Sequence, residues 1–397
     1  MRHEVINRFS VVSVVLSVLG GTGVSNAENR PSSGQDSSPQ TTERSTAVTS
    51  KEAAGQEDEE VGRLRRAAEG GDHNAQFQLG VRYATGKGVA HDDAQAAHWI
   101  RKAADQGNLD AQFNLGLMYA DGNGVPQDDA QAVVWLRKAA DRGDSRAQSN
   151  LGLMYANGTG VTRDGAQAAQ WYRKAADQGE VSAQFSLGLL YANGNSVSQD
   201  PTQAALWFRK AAEQGHAMAQ YNLGLMYGNG TGVPRDATQA ARWLRKAAEQ
   251  GDAIAQFTVG VLYANGTGVE RDDEQAIDWY RKAAKQGLAS AQTNLGTRYA
   301  IGRGVAQDPI EAVEWFRKAA EQGDASAQFN LGVMHANGTG VAADSVESYK
   351  WLSLAAAHSS GEEQRRYLSA RDTVAQTMTE AQLSEAQRRA RDWSERR

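Results

Sequence analysis

Residues that could carry out catalysis are sparse in this chain, and their spacing is irregular. Histidine occurs seven times, at His3, His73, His91, His98, His216, His335 and His358. No two histidines have the four-residue spacing that places two zinc ligands on one helix face. Serine nucleophile motifs of the S-x-x-K or G-x-S-x-G type and glycine-rich phosphate motifs are absent from the sequence. The sequence therefore predicts no catalytic residue, metal site or cofactor, and we interpret His98 and His335 as ordinary helix residues.

Composition excludes further classes of chemistry. The chain has 397 residues and no cysteine, which excludes disulfides, thiolate metal ligands, thiol catalysis and lipid anchors on cysteine. Charged residues make up 22% of the sequence and the net charge is −5. No strongly basic surface therefore favours binding to nucleic acid or to an anionic membrane.

One set of polar residues recurs at a constant spacing of 36 residues. Its members are Gln78, Asn114, Asn150, Ser186, Asn222, Thr258, Asn294 and Asn330. Amide and hydroxyl groups donate and accept hydrogen bonds, so such a series suits recognition of an extended peptide backbone. Alternatively, the asparagines satisfy contacts between neighbouring repeats. The candidate partner-binding residues are Asn114, Asn150, Asn222, Asn294 and Asn330.

The same spacing extends through the central part of the chain, residues 75–358. An Ala-Gln pair begins at Ala75, Ala111, Ala147, Ala183, Ala219, Ala255, Ala291 and Ala327. Tryptophan follows at Trp99, Trp135, Trp171, Trp207, Trp243, Trp279, Trp315 and Trp351. Eight copies of a 36-residue pattern without an insertion are typical of a stacked repeat protein.

Each copy of the pattern predicts two helices. In the first helix, Ala111, Leu115, Gly116 and Tyr119 share one face. A glycine-containing turn that begins at Gly122 predicts the end of this helix, because glycine readily adopts the positive φ angle of a helix-ending turn.

The second helix has a clear start signal. An aspartate such as Asp128 lies seven residues before each tryptophan, and Gln or Glu, here Gln131, follows three residues later. This spacing resembles a capping box, in which the aspartate accepts hydrogen bonds from the first turn. The Arg-Lys pair after most tryptophans, such as Arg137-Lys138, predicts a solvated face with weak ion pairs to acids four residues further on, such as Asp141.

The N-terminal 58 residues differ from the repeats. Residues 1–27 have the order of a secretory signal peptide, with Arg2 and Arg8 before an apolar run. The apolar run is too short to cross a bilayer comfortably, so we expect no stable membrane span; the alternative is an uncleaved anchor. Residues 28–58 contain almost no large apolar side chains and predict a disordered linker. We therefore expect export to a periplasm or out of the cell.

Both ends of the repeat series predict caps. Residues 59–74 match the second half of a repeat, with Arg63 in place of the tryptophan, which suits a solvent-facing N-terminal cap. Residues 359–397 predict C-terminal capping helices, and Thr379 with Gln382 predicts a capping box there.

The eighth copy departs from the pattern. His335 stands where a tyrosine is usual, and Ser353-Leu354 replaces the Arg-Lys pair. We interpret these changes as the last repeat adapting to its cap.

The pattern, clearest from Ala111 to Gly143, resembles the Sel1-like repeat, a relative of the tetratricopeptide repeat. The resemblance covers the chain from about residue 61 to the C-terminus. It implies an all-α, right-handed α-solenoid whose first helices line a concave face, usually in an adaptor for protein complexes. Exported bacterial members of the family include host-interaction and envelope-associated proteins.

We therefore expect an exported, non-catalytic scaffold that binds a protein or peptide through its concave face. One alternative is an envelope enzyme that acts on peptidoglycan or β-lactams. Another is association with peptidoglycan, with its glycan recognised by the aromatic and asparagine positions. The family's subgroup that is associated with penicillin binding and β-lactam hydrolysis is rich in cysteine, and this chain does not match it because it has none.

Overall fold

The computed structural model describes residues 59–194 and 196–395, and every regular element within these ranges is a helix. The predicted all-α class is therefore confirmed. The predicted signal peptide, residues 1–27, and the predicted linker, residues 28–58, lie outside the described residues. The described residues divide into two compact units, with the boundary between Ser198 and Gln199.

The helices of the first unit follow one another in pairs after a single N-terminal helix, α1, at residues 59–69. They are α2 (His73–Thr85), α3 (Asp93–Asp105), α4 (Leu109–Asp121), α5 (Asp129–Asp141), α6 (Ser145–Asn157), α7 (Gly165–Asp177) and α8 (Val181–Asn193).

The second unit continues the series and adds two longer helices at its end. Its helices are α9 (Pro201–Glu213), α10 (Ala217–Asn229), α11 (Ala237–Glu249), α12 (Ala253–Asn265), α13 (Asp273–Lys285), α14 (Ala289–Ile301), α15 (Pro309–Glu321), α16 (Ala325–Asn337), α17 (Ser345–Ala357), α18 (Gly361–Ala375) and α19 (Glu380–Glu395). From α2 to α17, even-numbered helices are the first helices of the repeats and odd-numbered helices are the second.

The first helices form and end as the pattern predicts. In α4, Ala111 and Leu115 are fully buried and Tyr119 is nearly so, which places the apolar stripe in the core. Gly122 then adopts a φ of 74° and its N–H donates to the carbonyl of Met118 at 2.9 Å. The left-handed glycine satisfies a carbonyl that the helix end would otherwise leave without a partner.

The second helices begin at an aspartate cap, as predicted. In α5, the Asp128 carboxylate accepts from the backbone N–H of Gln131 at 3.0 Å. The backbone N–H of Asp128, however, donates to the carbonyl of Tyr119 at 2.9 Å. In a complete capping box, this N–H would bond to the Gln side chain. The second helices therefore use an aspartate cap without the reciprocal half of the box.

The turn between the two helices packs on the preceding repeat. A Cβ at Gly124 would lie 1.9 Å from the carbonyl oxygen of Asp93, at the start of α3. Such an approach excludes any side chain, so the second glycine of the turn is required by contact between repeats.

Helix α1 packs on the first repeat and covers the N-terminal side of the repeat series. Val61 and Ala68 are buried in one cluster with Leu79 and Trp99, whereas Arg63 is exposed to solvent. The arginine thus occupies the outer surface of the first unit, where a tryptophan would be exposed.

At the other end, α18 takes the place of a ninth first helix. Gln364 Nε2 donates to the carbonyl of Ala356 at 3.0 Å, just as Gln328 Nε2 donates to the carbonyl of Ala320 at 3.1 Å in the last repeat. The 36-residue spacing between Gln328 and Gln364 therefore continues into α18.

The final helix, α19, packs on α17. Its Trp393 ring lies 6.2 Å from the ring of Trp351, and Leu354 is buried in the same cluster. The predicted capping box at its start is confirmed, because the Thr379 N–H donates to Gln382 Oε1 at 2.9 Å. Leu354 thus replaces the lysine of earlier repeats where α19 covers the surface.

Candidate partner-binding face

The five candidate asparagines occupy one equivalent position in five first helices. Asn114 and Asn150 lie in the first unit, on α4 and α6. Asn222, Asn294 and Asn330 lie in the second unit, on α10, α14 and α16. All five side chains are partly exposed. The structure thus places every candidate on the same side of its helix.

Hydrogen bonds within the helix orient these amides. Asn114 Nδ2 donates to the carbonyl of Asp110 at 2.8 Å. Equivalent bonds of 2.8 Å join Asn150 to Arg146 and Asn222 to Met218. Each bond uses one amide N–H and leaves the amide oxygen to accept from another group. These contacts lie within one helix and not between repeats.

Residues of the second helices lie next to the same position. Tyr172 lies near Ser186, and Tyr280 lies near Asn294. Burial raises the pKa of Tyr172 to about 12 and also raises the pKa of Tyr280. Both phenols are therefore neutral hydrogen-bonding groups near neutral pH.

A charged cluster flanks the series in the first unit. Arg146 bonds to Asp144 and to Asp110, both at 2.6 Å, and its guanidinium lies 4.5 Å from the Phe113 ring centroid. The hydrogen bond to Asp144 is the main cause that raises the pKa of Arg146. Burial raises the pKa of the neighbouring Glu180. The arginine is thus held by its own chain and covers an aromatic ring of the preceding repeat.

A buried glutamine series joins successive repeats, and the sequence pattern alone did not reveal its role. Gln148 is 4% exposed, its Nε2 donates to the carbonyl of Ala140 at 3.0 Å, and its Oε1 accepts from Gln178 Nε2 at 2.8 Å. The same amide pair recurs as Gln106–Gln76, Gln250–Gln220, Gln286–Gln256 and Gln322–Gln292. Two recurring glutamines were the sequence signal for this series. One is the Gln of the Ala-Gln pair, and the other is the Gln before the last glycine of the pattern.

The Arg-Lys pairs contact aromatic rings. The Arg137 guanidinium donates to the hydroxyl of Tyr155 in the next repeat, and Lys138 Nζ lies 3.6 Å from the Trp135 ring centroid. Further Arg–Tyr bonds join Arg65 to Tyr83, Arg101 to Tyr119, Arg209 to Tyr227 and Arg281 to Tyr299. Further Lys–Trp contacts join Lys102 to Trp99, Lys174 to Trp171, Lys210 to Trp207, Lys246 to Trp243, Lys282 to Trp279 and Lys318 to Trp315.

The predicted row of weak ion pairs is consequently wrong as a general description. Arg245 and Glu249 do form the expected pair, at 3.1 Å. Elsewhere the aromatic partners are within reach of the same side chains, and a cation over an aromatic face is attracted by the electrons of the ring.

His335 is a helix residue of α16, as predicted, but it is buried. It is 5% exposed, and neither ring nitrogen has a hydrogen-bond partner among the described residues. Burial lowers the pKa of His335, and the positive charge of Arg317 acts in the same direction while Glu347 opposes it. Glu347 itself bonds to Arg389 of α19 at 2.8 Å and to Lys350 at 3.0 Å.

Two other kinds of feature do not occur within the described parts of the chain. There, no group of three or more acidic or histidine side chains gathers in a metal-binding arrangement. In the same ranges, none of the helices combines the length and apolar character needed to cross a membrane.

Eight successive copies of one helix pair define a helical repeat protein. The Sel1 repeat family matches the chain at residues 73–108, 109–144, 145–180, 181–216, 217–252, 253–288, 289–324 and 325–360. The chain belongs to the Sel1 repeat family. The matched segments run from residue 73 to residue 360, whereas the sequence pattern placed the repeats at residues 75–358.

Solved structures support the same fold. The chain is 31% identical to a protective antigen of uropathogenic Escherichia coli that displays the Sel1-like repeat fold; the match covers 84% of this chain and 94% of that one, with a TM-score of 0.53. It is 37% identical to a Sel1 repeat protein from Oxalobacter formigenes over 77% of this chain and 89% of that one, with a TM-score of 0.60. Curated protein sequences gave no match.

Proposed function

We propose that this protein is an exported, non-catalytic Sel1 repeat scaffold that binds a protein or peptide through the face formed by its first helices. One observation carries the proposal. Partly exposed amides recur at one position, and hydrogen bonds to the helix backbone orient three of them, those of Asn114, Asn150 and Asn222. Oriented amide oxygens at constant spacing can accept hydrogen bonds from successive groups of a partner.

Export is supported by the N-terminal residues. Residues 1–27 have the charged, apolar and small-residue order of a secretory signal peptide. The similar chain from uropathogenic Escherichia coli is a protective antigen, and such a role favours a location outside the cytoplasm.

A scaffold without catalysis is supported by the environment of Asp273, a carboxylate with a strongly lowered pKa. Asp273 bonds to Arg271 and Arg298 at 2.7 Å and to Arg303 at 3.1 Å. The hydrogen bond from Arg271 is the largest of the causes that lower the pKa of Asp273 to about 2. Ion pairing of this kind stabilises the carboxylate and does not prepare it as a general acid or base at neutral pH.

The binding proposal is tested by replacing the candidate amides. We expect the five changes Asn114→Ala, Asn150→Ala, Asn222→Ala, Asn294→Ala and Asn330→Ala, made together, to reduce crosslinked capture of partners from the native envelope fraction at least about tenfold, because each loses an acceptor oxygen. The matched control replaces exposed second-helix glutamines: Gln131→Ala, Gln170→Ala and Gln275→Ala. Circular dichroism and thermal unfolding verify that both variants are folded.

Two results would count against the proposal. Unchanged capture by the folded fivefold variant would show that the asparagines do not contribute to partner binding. Sedimentation of the chain with purified peptidoglycan, with no captured protein, would instead favour the cell-wall glycan as ligand.

A further inference from the structure

In the second unit, the face that carries the asparagines also exposes two neighbouring apolar side chains. Met218 of α10 is 40% exposed and Ile254 of α12 is 53% exposed. They occupy the same repeat position, 36 residues apart. In the first unit, Asp110 and Arg146 occupy this position, and their side chains touch at 2.6 Å. That contact shows that a long side chain at this position reaches its counterpart in the next repeat, so Met218 and Ile254 lie on the same face of neighbouring repeats.

Residues one turn further along the same helices extend this surface. Tyr221 and Phe257 lie three residues after Met218 and Ile254, and both rings are partly exposed. Asn222 Nδ2 donates to the carbonyl of Met218 at 2.8 Å, as the Thr258 hydroxyl does to that of Ile254 at 2.8 Å. The surface therefore combines apolar groups with oxygen acceptors.

Four positions on this side of each first helix carry no charge in the second unit. The four positions that share the face are spaced as residues 218, 221, 222 and 225 of α10. Across α10, α12, α14 and α16 they are Met218, Tyr221, Asn222, Leu225, Ile254, Phe257, Thr258, Val261, Ser290, Thr293, Asn294, Thr297, Ser326, Phe329, Asn330 and Val333. None is charged, although 22% of the whole sequence is. In the first unit, Asp110 and Arg146 interrupt this neutrality and pair with each other.

At equivalent positions, the chain covers its own aromatic rings. The Arg146 guanidinium lies 4.5 Å from the Phe113 ring centroid in the first unit. Near the C-terminus, Tyr367 of α18 stacks on Phe329 at 4.5 Å, and Arg366 lies over the same ring at 4.4 Å.

In the second unit, Tyr221 and Phe257 have no cationic side chain over them among the described contacts. Phe257 packs on Tyr280 of its own repeat at 5.8 Å, and the residue that follows at the position of Arg146 is Ser290, which is short and uncharged. Over α10 and α12, no described cation therefore covers the two rings.

We propose that the α10–α12 patch, formed by Met218, Tyr221, Asn222, Ile254 and Phe257, binds an uncharged apolar segment of the protein partner. This inference rests on the proposed function and adds the chemistry of the partner. A charged segment would lose hydration there, and none of the five patch side chains supplies a counter-ion. Aliphatic and aromatic side chains, by contrast, gain from burial against Met218, Ile254 and the two rings. Backbone N–H groups of the segment donate to the acceptors of Asn222 and Thr258.

The test uses random peptides, so the native partner need not be identified first. A displayed library of random short peptides is selected on the full chain, and enriched peptides are labelled and titrated by fluorescence anisotropy. We expect the enriched peptides to be apolar and poor in charged residues. We expect their Kd to rise at least about tenfold for the double variant Met218→Glu with Ile254→Glu, because each change places an uncompensated charge in the contact.

A matched control uses the same repeat position two repeats beyond Ile254. Ser326 is exposed on α16, where Phe329 is already covered, so Ser326→Glu should change the Kd less than about twofold. The milder double variant Met218→Ser with Ile254→Ser removes the apolar groups without adding charge. Its Kd is measured in place of that of the glutamate variant if the glutamate variant does not fold. Charged consensus peptides, or equal affinity for the wild-type chain and the folded double variants, would overturn the inference.

The remaining outcomes separate this inference from the proposed function. If the α10–α12 patch variants keep full capture of the native partner while the fivefold asparagine variant loses it, the proposed function stands and this inference fails. If neither variant loses capture, both fail. If sedimentation shows that the wild-type chain dimerises and the double variant is a monomer, a second copy occupies the patch and the inference is wrong.

Discussion

At the residue scale, buried glutamines determine how one repeat joins the next. Gln148 has both ends of its amide paired, to the Ala140 carbonyl and to Gln178. A buried amide without partners is costly, so this arrangement requires the neighbouring repeat to be in register. The sequence shows that the glutamines recur, but Gln148 and Gln178 lie 30 positions apart and meet only when the two helices of their repeat pack together.

At His335, a histidine replaces the tyrosine that pairs with an arginine in earlier repeats. In the preceding repeat, Arg281 donates to the Tyr299 hydroxyl at 3.3 Å. In the last repeat, Arg317 faces His335, and both ring nitrogens of the histidine lack a hydrogen-bond partner among the described residues. The aromatic position is kept, but the hydroxyl acceptor for the arginine is lost.

We predict that His335→Tyr raises the free energy of unfolding by about 1 kcal/mol at neutral pH, because the phenol restores an acceptor for Arg317. It should also reduce the loss of stability on acidification. Burial lowers the folded-state pKa of His335 below its unfolded value of about 6.5. The unfolded state therefore binds the proton more tightly, and the histidine's contribution is lost as the pH falls through about 6.5.

The measurement is urea unfolding of both proteins at about pH 7.5 and about pH 5.5, on either side of that value. His98→Tyr serves as the control, because His98 is exposed on α3. An identical pH dependence for the wild-type protein and His335→Tyr would contradict the account of this residue.

At the element scale, the close approach of the two helices in a repeat depends on glycine in the first helix. A Cβ at Gly224 of α10 would lie 2.7 Å from Leu244 Cγ and 3.1 Å from the Leu244 backbone nitrogen. Gly228, one turn further on, has much more room, since its nearest neighbour would be Ala240 Cβ at 3.8 Å. Two glycines in one helix thus have opposite roles.

We predict that Gly224→Ala lowers the free energy of unfolding by about 1–3 kcal/mol, because the helices must separate or Leu244 must move. Gly228→Ala should raise it by about 0.5–1 kcal/mol, because alanine is the better helix former and meets no clash. Urea unfolding of the two variants gives both values. Equal effects of the two substitutions would show that helix propensity, and not packing, dominates at these positions.

Elements with local signals were predictable and contacts between elements were not. The aspartate caps and the glycine ends of the helices depend on residues within a few positions, so their structures followed from the sequence. The Arg137 side chain instead contacts Tyr155, 18 residues further along. Sequence spacing suggested Asp141 as its partner because an i+4 acid is the nearest charge on an isolated helix.

At the scale of the whole molecule, the unbroken 36-residue spacing made the fold class predictable, since the same helix pair must bury its apolar face eight times. The asparagines were found for the same reason. The role of α18 as a ninth first helix was not predicted, because only Gln364 and a few neighbours keep the pattern. The neutrality of the second unit's face becomes visible only when residues on four separate helices are placed together.

The most direct measurement of the central claim is position-resolved photocrosslinking in cells that produce the protein. A photoreactive amino acid replaces either Asn222, on the proposed face, or Leu206, which is 44% exposed on the second helix α9. We predict a partner adduct from position 222 and none from position 206. Adducts from position 206 alone, or in equal yield from both positions, would contradict binding through the first helices.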